Sequence, residues 1–509
     1  MDTGEAFTPE TYSFDGYLAA LGSDWYEEDA LLQRWLARSA LPDEELDRVR
    51  GLGRAAATRH REVADFVERS ENLPYLAAHD PYNQRRSEVV IPAETREILA
   101  EIHGSGIWRE ATDERVRYAL VYLLNQNSEF GVACSTACTD GLARILRRLG
   151  DDPRSRAVVE RLESATPSDW IHGAQFVTEI QGGSDAATNT LRAVSAGDGL
   201  YALYGPKWFC SNPTADFWLV TGRLEGSEPG HRGVSLFCVP RQHEGSTNAY
   251  ALRRLKDKLG TRALPTAEID FEGALGWPVG PLDQGLKNMI AIVLATSRVH
   301  CTVAAAAAVR RASREAHAYA GFRTAFGKRL EEHPLIAASL RRIAKAADRF
   351  EAGAFSTVDT WVASMEPSAS AVFQSWARVL VSLAKAVGTR SSNGYIYEAM
   401  MVLGGNGIEE RFCALPRLWR DAAILESWEG PYTLLLMQAL QDMVRFDVVG
   451  REREFLARGL GERAAGHAGE LAEVLATPTA EAMILRWADL APRIYRSFEE
   501  KALAELQAS

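Results

Sequence analysis

Gly199-Leu200-Tyr201-Ala202-Leu203-Tyr204-Gly205 is a short run of aromatic and aliphatic residues closed at both ends by glycine, the signature of a strand. Phe217-Trp218-Leu219-Val220-Thr221 and Val234-Ser235-Leu236-Phe237-Cys238-Val239-Pro240 repeat that signature at barrel or sandwich spacing. Outward from this block the period changes to helical. Upstream, Ile98, Leu99 and Ile102, then Tyr118, Leu120, Val121, Leu123 and Leu124, recur on helical faces. Downstream, Met289-Ile290 and Ile292-Val293 lead into Cys301-Thr302-Val303 and the alanines of 304–308, small residues that let bundle helices approach closely. Further helices are expected over 335–365, 372–403 and 429–446. The order is α, β, α, divided at 1–172, 173–280 and 281–450, with a charged, alanine-rich helical extension over 451–509.

A chain of 509 residues is too long for one ordinary core. Hydrophobic residues at 46% and charged residues at 25% suit a globular protein, and no run of eighteen apolar residues suggests a membrane span. Residues 1–5 carry no basic, then apolar, secretory pattern. The six cysteines at 134, 138, 210, 238, 301 and 413 are scattered and lack metal spacing, so no metal site is expected. Small buried thiols in a reducing cytoplasm are the expectation. A net charge of −11 is the wrong sign for a dedicated nucleic-acid binder.

Three separated stretches carry chemistry. In Thr178-Glu179-Ile180-Gln181-Gly182-Gly183-Ser184-Asp185, hydroxyls flank a glycine pair that lets backbone approach a ligand. Trp208-Phe209-Cys210-Ser211 adds aromatic surface for a flat ring, with a hydroxyl beside it. Gly404-Gly405-Asn406-Gly407 follows Glu398-Ala399-Met400-Met401-Val402-Leu403, which reads as helix, whereas a dinucleotide-binding crossover needs a strand before its glycines. About twenty-five residues on lies Ser427-Trp428-Glu429-Gly430.

Taken in order, Gln175-Phe176-Val177-Thr178-Glu179 with Gly182-Gly183-Ser184-Asp185, Gly205-Pro206-Lys207-Trp208-Phe209-Cys210-Ser211, Lys256-Asp257-Lys258-Leu259-Gly260-Thr261-Arg262, Arg323-Thr324-Ala325-Phe326-Gly327-Lys328 and Leu415-Pro416-Arg417-Leu418-Trp419-Arg420-Asp421 resemble the acyl-CoA dehydrogenase superfamily. The resemblance is strongest to its adaptive-response, AidB-like branch and covers roughly residues 80–445. It implies an α+β multidomain fold: an N-terminal helical domain, a central antiparallel β domain and a C-terminal four-helix bundle, usually in tetramers.

By the same resemblance, FAD is the cofactor. The stretch 175–184, including Gln175, Phe176 and Thr178, holds the flavin ring, and Ser184 also touches substrate. Phe209 stacks on the flavin and Ser211 bonds to it. Arg323, Phe326 and His333 reach the diphosphate and adenosine of a neighbouring subunit's cofactor, and Gly404 and Gly405 cradle that end. Glu429 is the base that takes an α-proton from a thioester, its own N–H polarising the thioester carbonyl. Trp428 and bound substrate exclude water and raise its pKa. Gly430 leaves room for the substrate chain, and Arg298 falls where the family has an arginine near substrate.

Two positions depart from the family. Pro431 stands where a Ser or Thr donates to the flavin, with Thr433 as stand-in, and Met401 replaces a Gln at the adenosine end. The leading expectation is α,β-dehydrogenation of an acyl thioester, with electrons passing to a carrier protein or oxygen. A flavin oxidase or monooxygenase of specialised metabolism, or a DNA-associated alkylation-stress protein, are the other readings.

Overall fold

The computed structural model describes residues 12–509 apart from Ala165 and Pro167; residues 1–5, read above for a secretory pattern, lie outside that range. Among the described residues, eight α-helices form the N-terminal region, from Asp15–Ala20 to Pro153–Ser164. Glu114–Asn125 and Ala133–Leu149 are its innermost pair. Asp113 starts the first by accepting from Arg115 N at 2.7 Å, one of the donors a helix start leaves unpaired. From Val116 onward every residue of Glu114–Asn125 is buried. One hairpin interrupts the helices, Tyr75–His79 against Arg85–Val90, and Leu252 N donates to Ser87 Oγ at 3.2 Å to tie it to the sheet.

The central sheet has seven strands in the order Tyr250–Leu255, Thr266–Pro278, Leu200–Ser211, Arg192–Gly197, Phe217–Leu224 and Gly173–Phe176, with Val234–Pro240 bridging Thr266–Pro278 and Phe217–Leu224. Most pairings are antiparallel, as expected. Gly173–Phe176 and the start of Arg192–Gly197, however, both run parallel to Phe217–Leu224. The bridging strand is buried along its whole length, so both its faces are apolar.

Downstream, the π-helical segment Met289–Leu294 leads into Ala295–Phe322, whose alanines are buried as a bundle centre requires. By length and hydropathy Leu282–Phe322 passes for a membrane span, but its apolar surface is mostly packed inside the bundle. Pro334–Ser364 begins with proline at its first turn, where no N–H is needed. Ala371–Leu383 runs through a π turn, Ala384–Gly388, into Thr389–Leu403. Leu415–Ser427 and Tyr432–Arg445 complete the bundle. The expected helix over 429–446 thus starts three residues late, and Glu429 lies in the turn before it.

Glu452–Leu460, Ala465–Leu475 and Ala480–Ala508 form the extension, which packs Phe455, Trp487 and Phe498 against Trp376 and Leu436 in a core of its own. Of its basic residues, Arg451, Arg458, Arg463, Arg486, Arg493, Arg496 and Lys501 each face a glutamate within ion-pair distance, so little of that surface is unopposed positive charge.

Candidate active site

Glu429 joins two helices. Leu415–Ser427 ends as Trp428 N donates back to Ile424 O at 3.1 Å. Glu429 then turns left-handed at φ +57° and Gly430 at φ +98°, before Pro431 starts the next helix. The glycine is required by that φ, but a left-handed glutamate costs roughly 1–3 kcal/mol and needs outside support. Two cations supply it. Arg298 Nε donates to Glu429 O at 3.1 Å, and Lys385 Nζ donates to Gly430 O at 2.5 Å and Glu426 O at 2.9 Å. Both bases are buried, and both hold carbonyls of the turn.

The carboxylate itself meets the β domain. Gln175 Nε2, on Gly173–Phe176, donates to Glu429 Oε1 at 3.0 Å and to Ser297 Oγ at 3.1 Å. Burial pushes the Glu429 pKa up, while Arg298, Lys385 and the Gln175 bond pull against it. Burial also brings Lys385 down to about 8. A carboxylate kept basic next to buried cations is suited to removing a proton from carbon.

The alternation of Gly173–Phe176 decides which neighbour reaches the cleft. Gln175 faces it, whereas Phe176 is fully buried against Trp218, with ring centroids 5.2 Å apart. The side chain of Phe176 thus belongs to the sheet core, and a flavin contact at this position would come from its backbone. Thr178 O accepts from Trp208 N at 2.9 Å, and a side chain at Gly183 would put its Cβ 2.4 Å from Thr178 Oγ1. Glu179 anchors this loop: it accepts from Lys207 Nζ at 2.8 Å, Thr190 N at 2.7 Å and Leu191 N at 3.0 Å. These partners hold Glu179 at a pKa of about 2, against its burial. Ser184 is exposed, Phe209 is 49% exposed with Lys256 Nζ 4.5 Å from its ring, and Ser211 Oγ lies 3.1 Å from Thr266 Oγ1.

A second group of expected residues sits on the hairpin Thr324–Ala325/Lys328–Arg329 and at the end of Thr389–Leu403. Phe326 and Gly327 form the hairpin tip in left-handed conformations, and Phe326 is 97% exposed. His333 Nε2 donates to Ala325 O at 3.1 Å, and Arg323 Nη1 donates to the Tyr12 hydroxyl at 2.8 Å. Gly404 and Gly405 have open space where a Cβ would point. Thr433 is exposed at the start of Tyr432–Arg445.

These surfaces fit a flat hydrogen-bonding ring with a long tail. Gln175 Oε1 is buried beside the base with no protein partner, Phe209 offers an uncovered ring, and the Gly404–Gly405 surface admits close approach. Gln175, Thr178, Ser184, Phe209 and Ser211 would hold the ring end, and Arg323, Phe326, His333, Gly404 and Gly405 the tail. Among the described residues no group of His, Cys, Asp and Glu is placed to hold a metal.

Two cavities reach residues next to Glu429, which itself lines neither. The larger, about 470 Å³, is lined by Arg298, Arg148, Arg378, Ile290, Ile292 and Trp361 among others. The smaller, about 40 Å³, is bounded by Trp428 and by Cys134 and Cys301, whose thiols both feel the Glu429 charge. Lys385, Ser297, Cys134 and Cys301 were not anticipated. One signal existed for Lys385: this chain uses only eight lysines among 57 basic residues, and Lys207, Lys256 and Lys385 all brace the site.

Comparison with known proteins agrees with this arrangement. The domain descriptions "Acyl-CoA dehydrogenase, C-terminal domain", "Acyl-CoA dehydrogenase, middle domain" and "Adaptive response protein AidB N-terminal domain" match residues 283–443, 174–274 and 19–166. The chain is 31% identical to the putative acyl-CoA dehydrogenase AidB of Escherichia coli K12, over 73% of this chain and 69% of that one. It is 29% identical to acyl-CoA dehydrogenase family member 11 of Caenorhabditis elegans, over 82% and 70%. The solved structure of Bd2924 in its apo form superposes with a TM-score of 0.87 at 29% identity, over 96% of this chain and 98% of that one.

Proposed function

The chain belongs to the acyl-CoA dehydrogenase family, on its AidB-like branch, and on that footing we propose that it introduces a double bond between the α and β carbons of an acyl thioester, with Glu429 as base. Proteins of this family are FAD-dependent oxidoreductases acting on CH–CH donors. FAD, when bound, supplies a two-electron acceptor for the hydrogen that leaves the β-carbon.

The observation that carries this reading is the Gln175–Glu429 hydrogen bond, which puts the carboxylate where the sheet and the bundle meet. Gln175 fixes Oε1, so Oε2 is the oxygen left to take the α-proton. The Glu429 backbone N–H makes no hydrogen bond among the described residues, so it is available to a thioester carbonyl. Arg298 and Lys385 keep the turn in the conformation that presents both groups together. Thr433 takes over flavin-side hydrogen bonding from Pro431, which has no N–H.

Phe326 at 97% and Leu335 at 85% exposed favour a homo-oligomer in which the hairpin meets a neighbouring subunit's cofactor. A protein carrier or oxygen takes the electrons onward. Six cysteines that form no disulfide suit a reducing, cytoplasmic setting.

Anaerobic titration of the purified yellow protein with short and branched acyl-CoA thioesters tests the proposal. Bleaching of the flavin is expected, and Glu429→Gln should keep FAD but lose about 10²-fold or more in turnover. Full turnover in that variant removes Glu429 from the mechanism.

A further inference from the structure

The smaller cavity beside Trp428 has an unusual lining for an acyl pocket. Ala137, Ala304 and Ala308 give it apolar sides, but Glu129 and Thr261 are also part of its wall. Glu129 is 5% exposed. Its Oε2 accepts from Cys134 N at 2.9 Å, while Oε1 is buried without a protein partner. Thr261 is 1% exposed and its Oγ1 is likewise buried and unpartnered. The neighbouring Asp421, by contrast, is fully engaged: it accepts from Ser128 Oγ at 2.5 Å, Glu129 N at 3.3 Å and Thr261 N at 2.5 Å. Two idle polar groups therefore converge on one small space, in a region where buried polar atoms are ordinarily paired.

Size limits what enters. About 40 Å³, at roughly 10–15 Å³ for each water-sized group, admits three or four heavy atoms. Charge limits it further, because an anion there would face the Asp421 carboxylate. Burial, with Cys134 and Asp421 adding to it, raises the Glu129 pKa well above the usual carboxylate range, although Lys258 and the Cys134 N–H pull the other way. A protonated Glu129 both donates and accepts, which suits a neutral polar partner.

Resting on the dehydrogenase reading of Glu429, we infer that the acyl group taken by this enzyme is short and ends in a neutral hydrogen-bonding group, a hydroxyl or an amide, which pairs with Glu129 and Thr261. A long saturated chain would overfill the cavity and leave both groups unpaired. A site built to hydrogen-bond a substrate hydroxyl rejects the analogue lacking it, whereas an apolar pocket discriminates only weakly.

The test compares 4-hydroxybutanoyl-CoA, butanoyl-CoA and octanoyl-CoA on the FAD-loaded protein. It reads kcat/KM with a dye acceptor and, separately, binding by perturbation of the flavin spectrum. The hydroxylated thioester is expected to exceed butanoyl-CoA by at least about tenfold and octanoyl-CoA by about 10²-fold in both readouts. Glu129→Leu is expected to abolish the first preference and Glu129→Gln, which can still donate and accept, to keep it. Where Glu129→Leu does not fold, the wild-type order and Glu129→Gln decide. Equal use of all three thioesters, or an unchanged order in folded Glu129→Leu, overturns the inference and leaves the dehydrogenase reading standing. Flavin reduction by none of the three overturns both.

Discussion

Lys385→Met is the perturbation that separates a braced turn from a merely positioned carboxylate. Lys385 is buried, and its ammonium reaches Gly430 O at 2.5 Å and Glu426 O at 2.9 Å. Methionine fills similar space without donors, leaving those two carbonyls without it and Glu429 with one cation fewer. The left-handed backbone at Glu429 is a strain of about 2 kcal/mol that the clamp offsets. At 1.36 kcal/mol per tenfold, losing that support cuts the population of the productive turn roughly 30-fold. A second effect has a definite sign. Lys385 lowers the Glu429 pKa, so its removal moves that pKa up, and the acid limb of the kcat/KM profile shifts to higher pH. Lys385 itself loses its proton above about pH 8, so wild-type activity should decline there and the variant should not show that limb. The assay is a pH series of kcat/KM with flavin content checked by absorbance. Unchanged kcat/KM with an unmoved acid limb, in a variant that carries its full flavin, would refute the reasoning.

Lys207→Met removes the buried cation facing Glu179 and leaves that carboxylate to neutral donors, so urea denaturation at pH 7 should show a loss of about 3–5 kcal/mol. The Glu179 pKa is depressed to about 2, so the stability it contributes is present above the ordinary carboxylate range and is lost as pH falls through that value. The wild-type and variant stability curves should therefore converge in acid. Gly183→Ala forces a methyl against Thr178 Oγ1 and should lower the fraction of protein purified with flavin, measured by its absorbance ratio, with little change in the thermal midpoint of the flavin-free protein. Trp487→Ala opens a cavity where the extension meets the bundle and removes the donor to Leu436 O at 2.9 Å. It should cost about 3–5 kcal/mol in one cooperative transition, whereas a separate early transition would mean that the extension folds by itself.

Much of this was readable from residue order, because the informative features are local. The strand signal at 199–205 and the helix before Gly404 depend on neighbours in the chain, and both elements are present, although the strand runs past Gly205 to Ser211. What escaped depends on distant parts of the chain. The hairpin at Tyr75–Val90 has strands of five and six residues with no regular alternation to set them apart from helix, and its tie to the sheet is to Leu252, far along the chain. The parallel pairing of Gly173–Phe176 with Phe217–Leu224 is a register that no short window encodes. Phe176 and Gln175 differ by one place, and only the sheet decides which faces the cleft. Lys385 lies more than forty residues from the carbonyls it binds, and nothing beside Glu129 in the chain marks it as buried.

The π turn at Ala384–Gly388 sets an angular phase for everything after it. An α-helix advances about 100° per residue, so one extra residue held in a widened turn rotates the rest of the helix by that amount. Lys385 lies inside the widened turn, and the helix beyond it ends at Gly404. A one-residue deletion there would keep an uninterrupted helix and still swing the glycine end by more than a quarter of a revolution relative to the lysine. The Glu429 turn and the Gly404–Gly405 surface are in this sense geared together through a single surplus residue, and sequence changes that preserve every named side chain can still throw the pair out of mesh.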